Sequence, residues 1–359
     1  MTNLSDILNV EAFEGLAQSR LDRVAVDYFR SGSWGEHTVA ENLAAWQRLW
    51  LRPRCLVNVS QRDPSVSLFG DRMPSPLLIA PTALHKMAHP EGEVATAKAA
   101  GACGVPMVLS SLSTCTVEEV AKVATSPLWM QLYISQDRGF TRSLAQRVEA
   151  AGCKAIMVTV DAPVWGVRER DIHNGFRVPD GLHIANLERP GLPTGHSGSG
   201  IGATLGWTID ASLTWKDFEM VCSAVKLPVL VKGILRGDDA IKAMDHGAQG
   251  VVVSNHGGRQ LDGSIATASA LPDVVQSVSG RVPVLVDGGI RRGADMLRAV
   301  ALGARAVLVG RPVLWGLATA GQPGVERVLQ LLLEEFSLSM ALAGCPDIRS
   351  ITSDLIARA

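Results

Sequence analysis

Long apolar segments are absent from the sequence. No run reaches the roughly 18 apolar residues that a membrane-spanning helix needs. The first residues, from Met1 to Asp6, lack the basic start and apolar stretch of a secretory signal peptide. An excess of charge of one sign is lacking too, because the formal net charge is −1, so nothing attracts nucleic acid or an anionic membrane over long range. We therefore expect a cytoplasmic protein without a membrane or nucleic-acid partner.

Common ligand-binding motifs are missing as well. The chain has no Gly-Lys pair, hence no Walker-type phosphate loop, and no Gly-x-Gly-x-x-Gly follows a strand, which argues against a nicotinamide-binding domain. The six cysteines are scattered among mostly small or apolar neighbours, without a Cys-x-x-Cys spacing. They are Cys55, Cys103, Cys115, Cys153, Cys222 and Cys345. We expect reduced core thiols and no metal site.

The sequence does contain eight short apolar runs, each bounded by glycine, proline or polar residues. They span residues 77–81, 106–110, 129–134, 155–161, 229–233, 251–255, 284–287 and 307–310. Their near-continuous Val, Ile and Leu content predicts strands buried on both faces, as in a parallel sheet covered by helices. Stretches between them carry apolar residues at helical spacing. Eight such units in series favour an α/β fold of the single (β/α)8 (TIM) barrel type over an open doubly wound sheet.

Two regions depart from this repeat within the one domain predicted for residues 1–359. Residues 1–70 predict an N-terminal helical extension of the barrel. Residues 180–212, after the fourth strand, include a stretch rich in Gly, Ser and Pro. Because an insertion after a barrel strand lies over the active-site face, we interpret this long loop as a mobile lid, with a neutral spacer loop as the alternative.

Glycines and arginines follow the last two strands. Gly288, Gly289 and Gly310 allow backbone N–H groups to approach an anion, and Arg291 and Arg311 supply forked donors for phosphate oxygens. Barrels commonly bind phosphate after strands seven and eight. The pattern therefore predicts a phosphate site, the alternative being glycines that only make tight turns.

His256 and Arg259 follow the sixth strand. An arginine binds a carboxylate through its forked donors, and an imidazole accepts a proton near neutral pH. Together they suit acid–base chemistry on a carboxylate substrate, with Lys232 close by or across the barrel. Taken alone, His256 is more typical of an ordinary hydrogen-bonded loop histidine.

The segment Ser254 to Asp262, which reads Ser-Asn-His-Gly-Gly-Arg-Gln-Leu-Asp, resembles the FMN-dependent α-hydroxy acid oxidase family. The resemblance extends over nearly the whole chain, from Asp27 to Leu342. Its further motifs, in order, are Pro81-Thr82-Ala83, residues 89–93, Gln131-Leu132-Tyr133, Lys232-Gly233, Asp287-Gly288-Gly289 and Gly310-Arg311. The resemblance implies a TIM-barrel FMN enzyme that oxidises small L-2-hydroxy acids to 2-oxo acids.

The same resemblance implies roles for individual residues. His256 would be the catalytic base, and Asp161 would orient it and raise its pKa. Lys232 would be the third catalytic group, placed to stabilise negative charge on the flavin. Substrate would be bound by Tyr28, Tyr133, Arg168, Arg259 and Leu112. FMN would be bound by Pro81, Thr82, Ala83, Ser110, Gln131, Thr159, Lys232, Ser254, Asp287, Gly288, Gly289, Arg291, Gly310 and Arg311. His256 would serve whether the substrate hydrogen leaves as a hydride or through a carbanion.

One departure from the family pattern concerns substrate size. Plant glycolate oxidases carry a tryptophan where this chain has Leu112, so we expect a wider pocket that prefers L-lactate or a longer acid to glycolate. Leu84, His85 and Leu205 are further candidates for shaping it.

The electron acceptor and the assembly are also expectations from the resemblance. No cytochrome domain precedes the barrel and the fourth loop is not apolar, so O2, reduced to H2O2, is the expected acceptor. A soluble dehydrogenase using a quinone or another carrier is the alternative, and a non-catalytic flavoprotein sensor is a further one. Family members commonly form homotetramers or octamers, and we expect a homo-oligomer here.

Overall fold

A computed structural model of the protein describes residues 3–188 and 209–358. Its strands in chain order are β1 (Leu49–Leu51), β2 (Val66–Leu68), β3 (Asp71–Met73), β4 (Leu77–Ile79), β5 (Met107–Ser110), β6 (Leu128–Leu132), β7 (Ile156–Thr159), β8 (Val229–Ile234), β9 (Gly250–Val253), β10 (Val284–Val286), β11 (Ala306–Val309) and β12 (Ile356–Arg358). Strands β4 to β11 pair in parallel, each with the next, and β11 pairs with β4 to close a barrel. The predicted (β/α)8 barrel is confirmed, and each of the eight apolar runs contributes one barrel strand.

Helices alternate with the barrel strands and cover them. In the described part of the chain they are α1 (Glu11–Gln18), α2 (Arg23–Arg30), α3 (His37–Gln47), α4 (Gly92–Ala102), α5 (Val117–Ala121), α6 (Arg138–Ala150), α7 (Glu169–His173), α8 (Trp215–Ala224), α9 (Gly237–Asp245), α10 (Thr267–Val278), α11 (Gly293–Ala301) and α12 (Arg311–Leu342). Short 3-10 turns span Leu4–Asp6, His85–Met87, Ile348–Ser350 and Ser353–Leu355. None of the described helices is both long and apolar enough to cross a membrane.

The barrel strands are buried on both faces, which explains their continuous apolar sequence. In β4, Leu78 packs inside the barrel with side chains of other strands, whereas Leu77 and Ile79 pack outward against the helices. The interior is filled by a set of apolar side chains that includes Leu78, Val108, Met157, Leu230, Val252, Leu285 and Leu308. The inside of the barrel is therefore a packed core, and a ligand site has to lie at one of its ends.

The N-terminal segment is less purely helical than predicted. It contains α1, α2 and α3, but also the strands β1 and β2. Strand β2 pairs with β3 in an antiparallel hairpin that ends just beyond the segment. The hairpin side chains Val66, Leu68 and Met73 join the barrel interior, and Phe69 packs on Trp129 at a ring distance of 5.7 Å. Strand β1 pairs with β12, which ties the N-terminal segment to the other end of the chain. Three-residue strands leave too short a pattern to be recognised in the sequence.

The expectation for the cysteines holds only in part. All six thiols are free. Cys115, Cys153 and Cys345 are buried and Cys103 and Cys222 are half-buried, but Cys55 is exposed. Burial raises the pKa of Cys153 to about 12, so this thiol stays protonated. The predicted lid at residues 180–212 and Leu205 lie largely or wholly outside the described residues.

Helix α12, which begins at the barrel rim, is bent at Ala320 and Gly321, where the backbone leaves the helical region. The bend brings Gly316 against Gly324, and a Cβ atom on Gly324 would lie 2.0 Å from the carbonyl oxygen of Gly316.

The Gly324→Ala substitution should therefore destabilise the fold by about 1–3 kcal/mol, the usual cost of overpacking. Gly15→Ala is the matched control, because Gly15 is exposed within α1 with open space around it. It should stabilise the fold by about 0.5–1 kcal/mol. Chemical denaturation of both variants measures these free energies, and equal effects would contradict the packing described here.

Candidate active site

A cavity opens at the carboxyl ends of the barrel strands. Nearly all of the residues predicted to bind substrate or cofactor line it. These are Tyr28, Pro81, Thr82, Ala83, Ser110, Leu112, Gln131, Tyr133, Thr159, Arg168, Lys232, His256, Arg259, Asp287, Gly288, Gly289, Arg291, Gly310 and Arg311. They come from every strand end of the barrel and from α2, because parallel strands deliver their carboxyl ends to a single rim.

His256 lies between a carboxylate and a phenol. Its Nδ1 is 2.9 Å from Oδ1 of Asp161, and its Nε2 is 3.4 Å from the hydroxyl oxygen of Tyr133. Gly233, which has a left-handed φ of 111°, makes this arrangement possible, since a Cβ there would lie 2.6 Å from the Cβ and Cγ of Asp161. With Nδ1–H donating to Asp161, Nε2 is left to accept a proton from a molecule in the cavity.

Asp161 acts on the pKa of His256 in the predicted, upward direction, but the net shift is downward. Burial, which disfavours the charged imidazolium, lowers its pKa below the ordinary 6.5 and outweighs the opposite influence of Asp161. The positive charges of Lys232 and Arg168 act in the same direction as burial. Burial raises the pKa of Asp161, but interactions with His256 and Lys232 exceed that effect and hold it below its usual range. The site therefore presents a neutral imidazole backed by an ionised carboxylate.

The backbone around His256 is left-handed over three consecutive residues. The φ angles of His256, Gly257 and Gly258 are 59°, 64° and 76°. Glycines are required after the histidine, because a Cβ on Gly258 would lie 2.8 Å from the backbone nitrogen of Val39. For His256 itself the conformation costs about 1–2 kcal/mol, and its N–H is held by the hydroxyl oxygen of Ser254 at 3.1 Å.

Lys232 is held on two sides beside this group. Its Nζ donates to the hydroxyl oxygen of Ser254 at 2.9 Å and forms an ion pair with Asp287 at 3.1 Å. Ser254 is fully buried next to the cavity-lining residues Lys232 and His256, and its contact with the cofactor stays a prediction. Its hydroxyl joins Lys232 to the backbone of His256.

Two arginines face the cavity near Tyr28, of which Arg168 is buried and Arg259 is half-buried. Arg259 donates to the carbonyl oxygens of Tyr28 at 2.9 Å and Ser31 at 2.7 Å, and its guanidinium lies 5.3 Å from the centre of the Tyr28 ring. Burial, with a smaller contribution from the positive charge of Arg168, lowers the pKa of Arg259 to about 10. Arg168 is 6% exposed and its ion pair with Asp171 is long, at 3.7 Å. A carboxylate bound between the two arginines would offset this unfavourable concentration of charge.

The tyrosines present their hydroxyl groups in protonated form. Burial raises the pKa of both Tyr28 and Tyr133 above the ordinary value, so each remains a hydrogen-bond donor at neutral pH. Tyr28 stacks on Phe176 with ring centres 4.4 Å apart, and Tyr133 meets Trp165 edge-on at 5.5 Å. These contacts fix both rings.

A buried amide forms the wall between β5 and β7. The Oε1 of Gln131 accepts from the Ser110 hydroxyl at 3.3 Å and from the Ser111 N–H at 3.2 Å, while its Nε2 donates to Thr159 at 2.9 Å. Three neighbouring strands thus supply polar groups in a fixed orientation. Such a wall suits a flat heterocycle with several donors and acceptors on its edge.

The phosphate site predicted after the last two strands has the expected chemistry. Arg311 donates to the carbonyl oxygens of Phe29, Ser31 and Gly257 at 3.0–3.1 Å and has no carboxylate partner among the described residues. Burial, together with the charges of Arg259 and Arg291, lowers the pKa of Arg311 to about 9. Burial also lowers the pKa of Arg291. A bound dianion would stabilise these cations.

The lining therefore fits FMN. A Cβ on Gly289 would lie 2.0 Å from the carbonyl oxygen of Asn42, so only glycine brings this turn so close to α3. The turn, Gly310 and the two arginines form a cradle for a phosphate, and Gln131, Lys232 and Asp287 supply polar groups for a ring system and its side chain. No cluster of metal-ligating side chains exists in the described ranges.

Some residues that line the cavity were not predicted from the sequence, and some predicted residues do not line it. Trp165 lines the cavity but was not predicted to do so, because it belongs to no sequence motif that indicates a binding site. Phe29 and Leu314 also line it and read as core positions. Leu84 and His85, predicted to shape the substrate pocket, are fully buried and do not line the cavity.

Known proteins resemble this chain over almost its full length. An L-lactate oxidase of Nostoc sp. is 50% identical over 99% of this chain and all of its own. A glycolate oxidase of Spinacia oleracea is 45% identical over 98% of this chain and 96% of its own. The crystal structure of mandelate oxidase with (S)-2-phenylpropionate superposes with a TM-score of 0.89 at 41% identity, covering 98% of both chains. The family model of the FMN-dependent dehydrogenases matches residues 17–358. The chain therefore belongs to the FMN-dependent dehydrogenase family.

Proposed function

We propose that the protein is an FMN-dependent oxidase that converts small L-2-hydroxy acids to 2-oxo acids and passes the electrons to O2, forming H2O2. The observation that carries this proposal is the neutral imidazole of His256, with Nε2 turned to Tyr133 in a cavity that is also lined by the cations Arg168 and Arg259. A proton acceptor beside a carboxylate site is what a 2-hydroxy acid requires. The similar proteins are named as oxidases of such acids, which supports the same conclusion.

The residues divide the work by their chemistry. Arg168 and Arg259 bind the substrate carboxylate, and the hydroxyl groups of Tyr28 and Tyr133 donate hydrogen bonds to the substrate. His256 then accepts a substrate proton at Nε2, while Asp161 holds Nδ1–H and stabilises the imidazolium that results. FMN, when bound, supplies the acceptor for two electrons.

The remaining predicted residues hold and polarise the cofactor. Lys232, fixed by Ser254 and Asp287, places a positive charge where negative charge develops. Pro81, Ala83, Ser110, Gln131 and Thr159 form the wall for the ring system. Gly288, Gly289, Arg291, Gly310 and Arg311 bind the phosphate.

A tetrameric or octameric homo-oligomer in the cytoplasm belongs to the same proposal. Large apolar side chains on the surface, such as Trp50, Leu56 and Leu338, support a contact between copies, because exposed apolar area commonly marks an interface. Light scattering after size exclusion measures the assembly.

Anaerobic mixing with L-lactate, followed by admission of air, tests the function. The wild-type flavin should bleach and then recover rapidly with formation of H2O2. His256→Ala should slow bleaching by about 10²–10⁴-fold while retaining FMN, because it removes the base and leaves the predicted cofactor-binding residues in place. His246→Ala is the control and should behave as wild type, since His246 pairs with Glu219 outside the cavity. Slow recovery in air would instead show a dehydrogenase with another acceptor, and absence of bleaching with every 2-hydroxy acid would refute the assignment.

The pH dependence follows from the lowered pKa of His256. The active form is the neutral imidazole, so activity is lost only as the pH falls through the folded-state pKa, which lies below 6.5. The value of kcat/KM should therefore hold as the pH falls to 6.5 and decline only below it. Asp161→Asn should lower the rate and move the midpoint further down, since the carboxylate raises the pKa of His256. Rate profiles from pH 5 to 8 (roughly the histidine range) measure this, and a midpoint above 6.5 would contradict it.

Substrate size depends on Leu112, which lines the cavity and whose N–H is held by Ser110. Trp165 narrows the same cavity from the loop after β7. We expect a preference for L-lactate or a longer acid, and Leu112→Trp should shift the ratio of kcat/KM for glycolate over L-2-hydroxybutyrate upward by about 10-fold or more. Leu112→Met, which nearly conserves volume, is the control and should leave the ratio unchanged. A clear preference of the wild type for glycolate over lactate would overturn this expectation.

A further inference from the structure

His85 is a buried titratable residue that the proposed reaction does not use. It lies in the 3-10 turn His85–Met87 after β4 and is only 1% exposed. Both ring nitrogens are nevertheless hydrogen-bonded to side chains. Nε2 is 2.6 Å from the hydroxyl oxygen of Thr82, and Nδ1 is 3.0 Å from that of Thr96 in α4.

The ring is neutral and fully satisfied in this setting. Burial lowers the pKa of His85 below its ordinary value, an effect larger than the opposing influence of Glu93. A neutral imidazole has one donor and one acceptor nitrogen, and each neighbouring hydroxyl can take the complementary part. The imidazole therefore joins Thr82 to Thr96 by two hydrogen bonds of normal length.

The turn that carries His85 is itself clamped. Glu93, fully buried at the start of α4, accepts from the N–H of His85 at 3.1 Å and from the N–H and hydroxyl of Thr114 at 2.9 and 2.5 Å. Leu84, just before His85, is held in a left-handed conformation with φ 58°, and its N–H donates to the carbonyl oxygen of Leu112. The loops after β4 and β5 are thus fixed to each other. His85 has a rigid support for positioning another group.

The group that it positions is part of the cavity wall. Thr82 lines the cavity, and its methyl group packs close to Gly310 of the phosphate cradle, where a Cβ would lie 3.1 Å from Cγ2. The hydroxyl makes its one described side-chain hydrogen bond to His85. A hydroxyl rotor held at one side by a fixed ring presents its remaining hydrogen-bonding capacity in a set direction.

We propose that His85 is a positioning residue for FMN, which it serves by fixing the hydroxyl of Thr82 against the bound cofactor. The imidazole itself touches neither cofactor nor substrate. The imidazole acts on the cofactor only through the side chain of Thr82. An experiment can therefore distinguish this positioning role from a general contribution to the stability of the fold.

A double-mutant cycle on FMN binding tests the proposal. The apoprotein of wild type, His85→Phe, Thr82→Val and the double variant is titrated with FMN, and Kd is obtained from the quenching of flavin fluorescence. Each single substitution should weaken binding by about 10-fold, the effect of one buried hydrogen bond, and the double variant should bind no more weakly than Thr82→Val alone. The visible circular dichroism of bound FMN should change alike in both single variants.

His85→Gln provides a second variant in case His85→Phe does not fold. Its amide reaches one hydroxyl, so it should weaken binding less than phenylalanine does, and the effect should vanish in the Thr82→Val background. His89→Gln is the matched control in the same loop, because the amide oxygen can still accept from the N–H of Glu91 as His89 does. It should leave Kd unchanged.

The measured Kd values distinguish the positioning role of His85 from the proposed function of the protein. Effects that multiply to about 100-fold in the double variant, or a His85 substitution without effect on Kd, would overturn the positioning role while leaving the proposed function intact. Failure of the wild-type apoprotein to bind FMN would overturn the cofactor site together with this inference.

Discussion

Positive charge concentrated at one end of the barrel is the constraint on which the rest of the structure depends. Lys232, Arg168, Arg259, Arg291 and Arg311 all line one cavity, and their nearest ionised partners are few: Asp287 for Lys232 and, at a longer distance, Asp171 for Arg168. Concentrating cations away from water is unfavourable unless anions complete the site. A phosphate at one end and a carboxylate at the other supply that charge. Binding of the two anions therefore offsets the mutual repulsion of these cations.

Backbone carbonyl oxygens also stabilise the arginines of the cavity. Carbonyl oxygens at the end of α2, from Phe29 and Ser31, accept hydrogen bonds from Arg259 and Arg311. The N-terminal segment is therefore part of the site and not an appendage to the barrel. The left-handed run at His256 has a related purpose, since it turns the imidazole toward the cavity while Gly257 leaves room for Arg311.

Much of the fold and of the cavity could be predicted, because both rest on local patterns. A strand buried on both faces must be apolar throughout, so the eight barrel strands can be recognised in the sequence. The residues just after these strands include most of the cavity lining. Features that depend on distant partners were missed or wrong. The hydrogen bond from Lys232 to the hydroxyl of Ser254 joins residues 22 positions apart, and no local pattern indicates it. The pKa of His256 depends on burial, which no motif records. Trp165 reaches the cavity through the path of the loop after β7.

The pairing of β1 with β12 joins Leu49 to Arg358, so all eight barrel strands lie between the two partners in the sequence. Such a contact closes a very large loop, which carries a cost in chain entropy. On a ribosome, β1 and the helices before it emerge long before their partner strand exists. The carbonyl groups of α2 that complete the cavity belong to this early segment, whereas Arg259 and Arg311, which donate to them, come from the last third of the chain. Assembly of the cofactor pocket is in this way coupled to completion of the whole barrel, and a partly synthesised chain would offer FMN only a fragment of its site.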